Sequence, residues 1–230
     1  MTLFTKIVAP IALALTASAA SAATVTDTIY LGSAIPDLFT HSSYTYTAGG
    51  GDLTMEATGH ELNADGAIGD QVRINKTLGG LGVTTCGRFT CLTDSPTVDS
   101  FGSDEVIKFA FDSAVSIKRI YFSEIDASDD FSFSVIGAGG SVMDFDPRIN
   151  MSLLGGFGLL DGRSYEFAEP LAVSNIFGIG AHGFGDSFRI AALEIVWEED
   201  TPAVPLPASA LLMVGAFGTF GAMRRRRKAA

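Results

Sequence analysis

Between residues 44 and 197 apolar and polar side chains repeatedly take turns at every second position, in short runs separated by Gly, Asp and Ser. Phe131-Ser132-Phe133-Ser134-Val135 alternates strictly, and Ile117-Lys118-Arg119-Ile120-Tyr121-Phe122 does so with one irregularity. Period two marks a strand with one buried and one wet face. The spacing predicts strands at 44–47, 53–58, 71–75, 106–111, 116–122, 131–136, 142–145, 164–167, 172–176 and 188–197. No stretch of the middle sustains a helical period, and no fixed-period repeat points to a solenoid or propeller. About ten short strands with turn signals between them predict an all-β domain, a jelly-roll-like β-sandwich. Residues 79–102 and the glycine-rich 150–162 read as loops, either binding loops or plain connectors.

The two ends break this pattern. Residues 1–22 carry one cation, Lys6, then an apolar run over 7–17, and close on Ala20-Ser21-Ala22. That layout predicts a secretory signal peptide cut by signal peptidase, with an apolar run too short for a transmembrane helix of about 20 residues. The domain then occupies 23–197 and an acidic, proline-containing linker 198–203. Over 204–230, Val204-Pro205-Leu206-Pro207-Ala208 opens an apolar stretch that is uncharged through Met223, and Arg224-Arg225-Arg226-Arg227-Lys228 follows. A helix over 204–223, at about 1.5 Å per residue, matches a hydrocarbon core of about 30 Å. Positive charge beside a span resists translocation, so the basic cluster predicts a cytoplasmic C-terminus.

Val204-Pro205-Leu206-Pro207-Ala208, the apolar helix and the terminal arginine cluster together resemble the PEP-CTERM sorting signal in its VPLPA variant. Leu206 stands where the name-giving motif has Glu, as in that variant. The resemblance covers about the last 27 residues. It implies processing near the proline motif by an exosortase-type, transpeptidase-like membrane enzyme. It also implies association with exopolysaccharide and biofilm at a Gram-negative cell surface. A plain membrane anchor is the alternative for the same residues.

Charge narrows the partners. Nine basic residues between the two ends face all 26 acidic ones, a net of −17. Such a domain repels nucleic acid and anionic headgroups and attracts cations. Cys86 and Cys91, the only cysteines, enclose four residues. In an exported chain this spacing predicts a disulfide worth only about 2 kcal/mol, with a metal site as the alternative. Asp126, Asp129 and Asp130 crowd one inter-strand loop and read either as a solvated turn or as ligands for calcium, the one possible cofactor. Asp144 and Asp146 form a weaker pair. The stretch from Glu61 to Gly66 starts like a calcium-binding EF-hand loop, but Val72 stands where its closing Glu belongs.

Catalytic signatures are missing from the sequence: no nucleophile elbow, zincin helix, phosphate loop or dinucleotide fingerprint is present. His182, Asp186 and Ser187 lie close together in a glycine-rich turn, which alone makes no triad. The expectation is a non-enzymatic envelope or surface protein, exported through the inner membrane and associated with exopolysaccharide or biofilm matrix as a structural or glycan-binding component. The alternatives are a carboxylate-based enzyme acting on surface polysaccharide and an inert surface spacer.

Overall fold

The computed structural model describes residues 23–35, 37, 39–63, 67–85, 95–126, 128–136, 142–145, 152–153, 163–168, 173–181 and 185–199. Cys86, Cys91, His182 and the two end segments, 1–22 and 204–230, for which a signal peptide and a sorting signal are expected, lie outside these residues. Among the described residues there are thirteen strands and one turn of 3-10 helix, so the chain is all-β. The strands are β1 (Ala23–Tyr30), β2 (Ser43–Ala48), β3 (Leu53–Leu62), β4 (Ile68–Thr77), β5 (Gly80–Thr84), β6 (Val98–Asp99), β7 (Glu105–Ser123), β8 (Phe131–Ile136), β9 (Val142–Phe145), β10 (Ser152–Leu153), β11 (Arg163–Glu166), β12 (Ser174–Gly180) and β13 (Ser187–Glu199). Among the described residues no helix is long and apolar enough to cross a membrane.

Two long strands organise the domain. The first part of β7 pairs antiparallel with β3, from Met55↔Phe111 to Glu61↔Glu105, and also with β12. Its last part, beyond the exposed Asp112, Ser113 and Ala114, pairs with β13 and with β11. Because β13 also joins β5, and β5 leads through β4 to β3, the hydrogen bonding forms a closed five-strand circuit β7–β13–β5–β4–β3. Strands β8 and β9 extend from β12, and β10 extends from β11. The strands form one continuous sheet, because β7 and β13 each serve more than one neighbour along their length.

Cross-strand register builds the core. Phe111 lies opposite Met55, Phe109 opposite both Ala57 and Phe177, and Ile107 opposite Ile179, so one face of three strands, β3, β7 and β12, is apolar and buried. Burying each such large side chain contributes roughly 1.5–3 kcal/mol. Beyond β12 the core becomes aromatic. Phe122 meets Phe131 at 4.9 Å and Phe188 at 5.2 Å between ring centroids, and Phe133 meets Phe167 at 5.3 Å. Tilted and edge-on rings of this kind add to area burial and hold β8 and β11 against β7.

Strand β5 falls inside the stretch read as a loop. Gly80 has φ of +130°, and it lies against the backbone of β13, where a side chain would collide. The glycines that blurred the sequence pattern are therefore what allow β5 to close the circuit.

Candidate functional site

Three segments meet at one end of the domain: 95–104, the β7–β8 connection 124–130, and 185–187 at the start of β13. Ser100 organises one side. Its Oγ accepts hydrogen bonds from the backbone N–H groups of Gly185 and Asp186, both at 3.1 Å, and its own N–H donates to the Asp186 carbonyl at 3.1 Å. Glu105, buried at the start of β7, accepts the N–H of Asp99 at 3.1 Å, and Asp99 in turn accepts that of Phe101 at 2.9 Å.

The three loop aspartates sit in this corner and behave differently. Asp126 Oδ1 accepts both the N–H and the hydroxyl of Ser128 at 2.6 Å, and these bonds hold its carboxyl below the usual range. Asp129 is buried. Its Oδ2 accepts the Asp126 N–H at 2.5 Å and its Oδ1 accepts the Ser187 N–H at 3.1 Å. The N–H of Asp130 donates to Asp186 Oδ1 at 2.9 Å, across 56 residues of sequence. Burial raises the Asp129 and Asp186 carboxyls. For Asp186 the nearby charges of Asp130, Asp129 and Asp104 push the same way, while the bond from Asp130 opposes.

The corner is thus an anionic clasp, in which carboxylates bind the backbone N–H groups of neighbouring loops. Among the described residues no group of three acidic, His or Cys side chains is disposed to hold a metal ion. Asp186 and Ser187 both belong to the clasp, with the Ser187 hydroxyl 2.9 Å from that of Thr97, whereas His182 lies outside the described residues. The sequence identified Asp126, Asp129 and Asp130. It missed Ser100 and the pairing of Asp130 with Asp186, for which no local signal exists.

A second cluster lies where β2 and β4 part company. Strand β3 pairs with β2 through residues 53–58 and with β4 through Gly59 to Leu62, so the end of β4 is free of both. Ser33, Asp37 and His41 line that end of β4, their N–H groups bonded to the carbonyls of Thr77, Lys76 and Ile74. Tyr44 and Tyr46 lie opposite Ala57 and Met55, hence on the core-side face of β2. The Tyr44 hydroxyl donates to Asp37 Oδ2 at 3.0 Å, and His41 Nε2 lies 2.9 Å from the same oxygen. Lys76 Nζ stands 4.6 Å from the Tyr44 ring centroid and 5.5 Å from that of Tyr46. Phe39 and Ile35, on the same segment, are exposed.

Comparison with protein-family models, with curated proteins and with solved structures gives no match.

Proposed function

We propose that the chain is an exported cell-envelope or surface protein, made as a single-pass membrane precursor, and that its β domain is a non-enzymatic, polysaccharide-associated component of the extracellular matrix. The observation that carries this reading is the C-terminal order Val204-Pro205-Leu206-Pro207-Ala208, uncharged apolar stretch, Arg224 to Lys228, joined to an N-terminal signal pattern. In this reading signal peptidase and an exosortase-type enzyme are the processing partners. The closed circuit and the β12–β8–β9 extension act as the facing layers of a jelly-roll-like arrangement. Calcium is the ion assigned to the acidic corner at Asp126, Asp129 and Asp130, at the affinity of about 10⁻⁴–10⁻³ M common to extracellular modules. The Cys86–Cys91 disulfide would pin one connection.

A deletion strain tests the proposal. Loss of matrix cohesion or of retained exopolysaccharide, restored by the intact gene, supports it. Unchanged matrix together with no binding of purified exopolysaccharide removes it. Two buried acids brought into one corner from separate loops, Asp129 and Asp186, favour one second reading, a polysaccharide-cleaving enzyme that works with a pair of carboxyl groups. Turnover of the exopolysaccharide that disappears in Asp186→Asn would select it.

A further inference from the structure

We draw no further inference here: the strongest candidate, the surface patch of exposed apolar side chains Tyr30, Ile35 and Leu78 where the segment after β1 passes the β4–β5 turn, carries none because nothing in the structure shows what covers it.

Discussion

Neutralising two buried aspartates of the same corner, 57 positions apart, should have opposite consequences. Asp129 uses both carboxylate oxygens, one for the Asp126 N–H and one for the Ser187 N–H. In Asp129→Asn one oxygen becomes an NH₂ that faces a backbone donor, so one charge-assisted bond is lost and a buried N–H is left without an acceptor. A hydrogen bond to a charged group contributes about 1.5–3 kcal/mol, and the stranded donor adds a cost of similar size. Relief of the buried charge returns part of this, which leaves a net loss of about 2 kcal/mol. The Asp186 carboxylate accepts a single bond among the described residues, from the Asp130 N–H, and the amide oxygen of Asp186→Asn can accept it equally. That variant also loses a charge that burial and Asp129, Asp130 and Asp104 disfavour. It should be neutral or slightly stabilising at pH 7. For a domain of this size about 2 kcal/mol corresponds to roughly 4–8 °C in melting temperature. Thermal unfolding followed by circular dichroism at pH 7 reads both variants directly. Equal losses in the two, or a wild-type melting temperature in Asp129→Asn, would refute the clasp.

Further outcomes follow from other contacts. Gly49 has φ of +59° and an added Cβ would stand 2.7 Å from the Trp197 indole, so Gly49→Ala should lose about 2 kcal/mol or more and shift the fluorescence of the single tryptophan. His60 is buried between the Thr58 hydroxyl at 3.0 Å and the Gly69 carbonyl at 3.1 Å, and burial holds its pKa below the usual value. A depressed base means that the fold binds fewer protons than the unfolded chain, so its contribution is present above pH 6.5 and lost as pH falls below it. His60→Gln should flatten that part of the pH–stability curve, and an NMR titration should find the midpoint of the ring below pH 6.5. The raised carboxyls of Asp129 and Asp186 have the opposite sign: stability gained from them is present at low pH and declines as pH rises above 3.8 through their folded values. If calcium sits at the acidic corner, chelator lowers the melting temperature and millimolar calcium restores it; no change within error removes the ion from the proposal.

The strands that a half-buried face writes into sequence were legible. β8 alternates Phe, Ser, Phe, Ser, Val because Phe131, Phe133 and Val135 pack inward. β7 reads as two strands because Asp112, Ser113 and Ala114 are exposed at its middle, yet the backbone continues through them. β5 is hidden by glycines that the neighbouring backbone demands. Ring closure was out of reach, since the pairing of β13 with β7 joins residues about 70 apart and leaves no local trace. The sites divide in the same way. Three aspartates in five residues announce the corner, whereas its partner Asp186 arrives from just before another strand. Tyr44 and Tyr46 mark a strand, but only the register shows Lys76 and His41 converging on them.

The intact mass of the native protein, taken from fractionated cells, tests the central claim most directly. Export and sorting predict a chain that begins near Ala23 and ends near Pro205 to Ala208, with or without an added group. A membrane-bound chain that still carries Arg224 to Ala230 would contradict the sorting account and make the segment an ordinary anchor.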